Sequence, residues 1–134
     1  LEIWDAPVGT IAFVWWPIVF YLGWIVVASV ANASVYLVSI NWQGGFLSPL
    51  TWALVMIVIA TAIYLLLVFT RNMREAALVG VWALIAIAVR QGSAHPAIGT
   101  TAITAAALLL FVIAWHGYRN RSTAPLEKMK RGEI

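Results

Sequence analysis

The chain has 134 residues, of which 63% are hydrophobic and 10% charged, with a formal net charge of +3. Soluble domains carry roughly 25% charged residues, and a chain this short has too much surface for its volume to bury so large an apolar share. A water-soluble globule is therefore excluded, and lipid is the solvent that fits. The absence of cysteine excludes disulfides, thiolate metal sites and a cysteine nucleophile.

In chain order, residues 1–16 read as an interfacial N-terminal lead-in, with Trp15 and Trp16 at headgroup level. Pro17 lacks a backbone donor and disfavours helix at the residue before it, so the first span is predicted over about 17–40. Asn41–Pro49 (NWQGGFLSP) is a turn: Gly44-Gly45 permits positive φ, and Ser48-Pro49 suits a helix start with proline at its first position. A second span follows over about 49–70, then a short polar connection, Arg71–Glu75, of the kind that joins antiparallel neighbours. The third span, about 76–90, is short; it needs Glu75 and Arg90 at the interfaces, or else forms a packed, partly buried helix. A second turn at Gln91–Pro96 leads to a fourth span over about 97–116. The expected fold class is all-α, a polytopic bundle of about four transmembrane helices, with residues 17–118 as the bundle and 119–134 as a basic tail.

Five of the eight Lys and Arg residues lie in that tail: Arg119, Arg121, Lys128, Lys130 and Arg131. With Arg71 and Arg74 they place seven cationic side chains on one side of the membrane and Arg90 alone on the other, which predicts cytoplasmic N and C termini. The expected location is the bacterial inner (plasma) membrane, multi-pass. The basic tail points to an anionic membrane surface and not to nucleic acid. Glu2 and Asp5 stand where a signal peptide would carry positive charge, and Leu1 in place of Met suggests a processed chain or part of a longer one.

Groups able to carry chemistry are scarce. No Asp or Glu falls inside a span, which argues against proton pumping or ion coupling. His95 and His116 are the two histidines, and they are predicted on opposite sides, so they cannot share a metal. His116 could serve as an axial ligand to a haem or chlorophyll metal; an interfacial histidine beside Trp115 and Tyr118 is the plainer reading. No catalytic or metal-binding residue is assigned, no enzymatic activity is expected, and no cofactor is required beyond a tetrapyrrole as a candidate ligand.

Three features suggest a binding surface. Asn32 is an amide at membrane depth and needs hydrogen-bond partners that lipid lacks, with Ser29 and Ser34 nearby. Six of the eight tryptophans (Trp4, Trp15, Trp16, Trp42, Trp52 and Trp115) fall near interfaces, whereas Trp24 and Trp82 lie inside spans. These two either pack the core or offer a flat wall to a planar ligand, with Tyr21, Tyr36 and Tyr64 as hydroxyl donors. Small residues four apart, Ser29/Ala33, Ala76/Gly80 and Ala102/Ala106, mark places where helices can approach closely.

The stretch Pro17–Tyr36 (PIVFYLGWIVVASVANASVY) resembles the last transmembrane helix of the TspO/MBR family, the tryptophan-rich sensory or translocator proteins. The family's proline, aromatic-Leu-small-Trp run and small residues leading to an Asn fall here on Pro17, Tyr21, Leu22, Gly23, Trp24, Ala28, Ala31 and Asn32. TspO proteins have five spans and end shortly after this helix, whereas here three further spans follow; a longer TspO-related protein or a reduced relative would fit. The resemblance implies binding of a flat apolar ligand, a porphyrin or a sterol, for sensing or transport. The ligand-binding residues it suggests are Tyr21, Trp24 and Asn32, with Trp82 added by its position in a span. Expected partners are the bilayer, an apolar small molecule, and a homodimer or larger membrane complex. The alternative is a non-catalytic structural subunit of a respiratory or photosynthetic membrane complex.

Overall fold

A computed structural model describes residues 6–121, 130 and 132. Residues 1–5, which include Trp4, and most of the basic tail lie outside the described residues. Four long helices make up the described chain: α1 (Val8–Ser39), α2 (Pro49–Arg71), α3 (Arg74–Gln91) and α4 (Pro96–Arg119). Successive helices run up and down. One end of the bundle gathers the 71–74 connection and the end of α4, and the other gathers the two turns at 40–48 and 92–95.

The lead-in before Pro17 is not a separate segment. It forms the first turns of α1, and the helix continues through the proline. A π-helical turn over Ile11–Trp15 makes this geometry available: the Trp16 N–H donates to the Ile11 carbonyl, five residues back. The extra residue opens the turn just before Pro17, which has no N–H to give and whose ring needs room. Gly23 on α1 lies against Ala76, the third residue of α3. Residues 8–20 of α1 therefore precede the level at which α3 begins, by roughly 20 Å of helix rise.

The turns follow their sequence signals. Gly44 and Gly45 adopt φ of 89° and 64°, and the Ser48 hydroxyl caps α2 by accepting from the Thr51 N–H at 3.1 Å. Asn72 closes α2 in the left-handed region at φ 54°, with the Met73 N–H donating back to the Leu67 carbonyl at 3.2 Å.

Three helices, α1, α2 and α4, are long and apolar enough to cross a membrane; α3 is not among them. With 18 residues it rises ~27 Å, and it carries Arg74, Glu75 and Arg90 near its ends. Yet α3 is the centre of the bundle, packing extensively on each of the other three helices. It can do so because its inward faces are small: Ala76, Ala77, Gly80 and Ala83 are all buried.

The small-residue contacts are very close. A Cβ placed on Gly80 would sit 2.5 Å from the Tyr64 ring, one on Gly23 would sit 2.9 Å from the Ala76 carbonyl oxygen, and one on Gly99 would sit 2.7 Å from the Gly92 Cα. Tyr64 ties three helices together. Its ring lies over Gly80 of α3, and its hydroxyl donates to the Gly23 carbonyl of α1 at 2.8 Å. Ala102 and Ala106 are buried in the same core, beside Leu109 and Val68. The Ser29/Ala33 pair differs from the other two small-residue pairs: both residues are exposed, and no helix of the bundle covers them.

Candidate functional site

α1 and α3 leave the 71–74 end side by side. Trp24 stands one residue beyond the Gly23–Ala76 contact, and Trp82 stands two residues beyond Gly80. The close backbone approach brings the two indoles together, with ring centroids 5.5 Å apart and planes tilted by 37°. Neither is core: Trp24 is 48% and Trp82 59% exposed, so the pair forms an aromatic ledge on the outer surface.

Tyr21 lies one turn before Trp24 on α1 and is also exposed. Asn32 lies eight residues beyond Trp24, ~12 Å along the helix, on a stretch exposed from Ala31 to Tyr36. Its side chain takes no hydrogen bond among the described residues, and Ser34, an expected partner, donates instead to the Val30 carbonyl at 2.9 Å. The structure thus joins Trp24 to Trp82 and sets Tyr21 beside them, while Asn32 stands apart. The reason is the course of α1, which packs through Val19 and Gly23 and is uncovered over its later turns.

Tyr64 is the aromatic hydroxyl that goes inside, and it serves as a three-helix tie. Its burial was not legible from position alone; the signal is the glycine pair, Gly23 and Gly80, that makes room for the ring and its hydroxyl. Tyr36 remains exposed.

A second concave feature lies between α2 and α4. It is a groove of about 440 Å³ lined by Ile57, Thr61, Leu65, Thr100, Thr104 and Leu108, among others. The hydroxyls of Thr61, Thr100 and Thr104 donate to carbonyls of their own helices, at 2.7, 3.0 and 2.8 Å. Their hydrogen-bonding capacity is spent within the helix, which leaves an apolar lining.

Aromatic side chains also mark both ends of the bundle. Trp42 and Trp52 pack with ring centroids 5.1 Å apart and planes tilted by 56°, and Trp52 Nε1 donates to the Gly44 carbonyl at 2.7 Å. At the other end Trp115 meets Phe69 edge-on at 6.4 Å, and Arg119 lies over the Trp115 ring at 5.2 Å. His116 is buried there, edge-on to Phe69 at 5.9 Å, and the Asn120 amide donates to its carbonyl at 3.0 Å. It is a packed residue and not a surface one: α4 turns that face onto α2 one turn before its end. His95, the cap of α4, lies at the opposite end.

A family model described as TSPO-like protein matches residues 2–115. The match takes in all four helices, where the resemblance read from the sequence rested on about residues 17–36. The helices after the first are therefore part of the family pattern and not an appendage to it. No curated protein and no solved structure matches the chain.

Proposed function

Because the chain belongs to the TSPO-like protein family, we propose that it is a membrane receptor or carrier for a flat apolar ligand, a porphyrin or a sterol. The observation that carries this reading is the Trp24–Trp82 ledge, two indoles 5.5 Å apart and both open at the surface. A planar ring system can lie on aromatic faces of this kind with favourable dispersion and quadrupole terms, and Tyr21 adds a hydroxyl at the ledge's edge. In the bilayer the ledge faces lipid, so the ligand reaches it by lateral diffusion and need not enter from water. Asn32 contributes as a polar anchor for a ligand long enough to extend just over two turns along α1, ~12 Å. The protein performs no bond chemistry. It resides in the bacterial inner membrane with both ends in the cytoplasm, as the distribution of Lys and Arg favours.

The test is titration of the detergent-purified chain with protoporphyrin IX, following tryptophan fluorescence. Saturable quenching with a Kd of about 1 μM or tighter, weakened several-fold in Trp24→Phe and in Trp82→Phe, is the expected result. Linear quenching that is identical in all three proteins would show partitioning into the micelle and would overturn the reading.

A second reading, a structural subunit of a larger membrane complex, is favoured by one observation. Residues Ala31–Tyr36 of α1 are exposed on every face and carry the unbonded Asn32 amide. A neighbouring helix from another subunit would cover the face and supply the hydrogen bond that lipid cannot. Stoichiometric partners retained on mild extraction would support this reading over the receptor.

A further inference from the structure

The end of the bundle where α2, α3 and α4 meet carries four arginines: Arg71, Arg74, Arg119 and Arg121. Among the described residues Glu75 is the one side-chain carboxylate. Two of the guanidinium groups rest on aromatic faces, and among the described residues no ion pair holds any of the four. Arg119 lies over the Trp115 ring and Arg121 over the Tyr118 ring, each at 5.2 Å. An indole or phenol face steadies a guanidinium without neutralising it and leaves its edge N–H groups free to donate.

Arg74 reaches across from α3 to α4. One of its terminal nitrogens packs so closely on Gly117 that a Cβ there would sit 2.8 Å away. Its Nε is buried and has no hydrogen-bond partner among the described residues. Arg74 from α3 and Arg119 and Arg121 from the end of α4 thus lie around the last turn of α4. A guanidinium desolvated on one side and unpaired is costly to keep unless an anion meets its open side.

We propose that Arg74 and Arg119, supported by Arg121, form a binding site for the phosphate of an anionic phospholipid headgroup, of the phosphatidylglycerol type. The site lies at the end of the three helices, flanked by Phe69, Trp115 and Tyr118. A lipid whose headgroup sits at this aromatic level would set its phosphate against the arginine edges and its acyl chains along the helices. This site lies at the α3–α4 end and is separate from the Trp24–Trp82 ledge.

The experiment is native mass spectrometry of the detergent-solubilised full chain, titrated with phosphatidylglycerol or with phosphatidylcholine. The expected result is a preference for phosphatidylglycerol of about tenfold or more. Arg74→Gln/Arg119→Gln should bring that preference close to parity. Arg90→Gln, which removes a cation at the opposite end, should leave it unchanged, and Arg74→Lys/Arg119→Lys should retain most of it, separating loss of charge from loss of packing. Inorganic phosphate at millimolar concentration should not displace the lipid. Equal binding of the two lipids by the unaltered protein, an equal loss in Arg90→Gln, or displacement by free phosphate would each overturn the proposal.

Discussion

Helices α1 and α3 invert the usual relation between apolarity and burial. α1 is long and apolar enough to cross a membrane, yet its exposed residues include Phe13, Ile18, Phe20, Tyr21, Trp24, Val35 and Tyr36. α3 is shorter, carries three charged residues and falls outside the set of membrane-crossing helices, yet it touches every other helix and buries six residues. In water this would be backwards. In lipid an apolar side chain gains little by leaving the solvent, so helices associate through close backbone approach and dispersion. The central place goes to the helix with the smallest side chains.

That comparison can be broken most forcefully at the glycines. Gly99→Ala puts a methyl group against the Gly92 backbone, 2.7 Å from its Cα, where neither helix can yield without moving apart. A loss of about 3 kcal/mol, the upper end for overpacking, is expected, read as a lowered thermal midpoint by circular dichroism in detergent. Gly80→Ala drives its methyl into the Tyr64 ring at 2.5 Å. A ring can tilt where a backbone cannot, so about 2 kcal/mol is expected by the same measurement.

Tyr64→Phe keeps the ring and removes the hydroxyl that donates to Gly23 at 2.8 Å. The expected loss is about 1 kcal/mol, together with weaker coupling of α1 to the bundle, visible as faster hydrogen exchange in α1. Ala33→Leu sharpens the contrast from the other side. It enlarges a small residue on the uncovered part of α1, and a change within about 0.5 kcal/mol is expected. A destabilisation there as large as at Gly80 would mean that the Ser29/Ala33 face is packed after all, and would favour the subunit reading.

Much of the fold was legible because the signals involved are local. Ser48-Pro49 starts α2 through a side-chain cap and a preset φ, and Gly44-Gly45 takes the positive φ that its turn needs. The polar run Arg71–Glu75 breaks the apolar pattern where α2 ends and α3 begins. Pro17 misled in one respect. Proline chemistry predicts a boundary there, but the π turn over Ile11–Trp15 lets α1 pass through it, and whether an extra residue is inserted depends on the backbone around it and not on the proline alone.

The site was legible by composition and only partly by arrangement. Trp24 and Trp82 stood out as tryptophans within apolar segments, but they are 58 positions apart in the chain. Only the Gly23–Ala76 contact, which sets the register of α1 on α3, places one indole beside the other. The same register leaves Asn32 on an uncovered stretch of its helix. The inward turn of Tyr64 and the burial of His116 were equally out of reach, since each depends on which neighbour supplies a glycine or a ring.

The sequence by itself determined the solvent, the number of long helices and their turns, since apolar length, proline, glycine and charge act within a few residues of where they stand. Only the tertiary structure decided which helix is central, which aromatics meet and which arginines converge. In lipid those choices are made by the fit of one helix surface to another, and a glycine reveals its partner only when the second helix is in place.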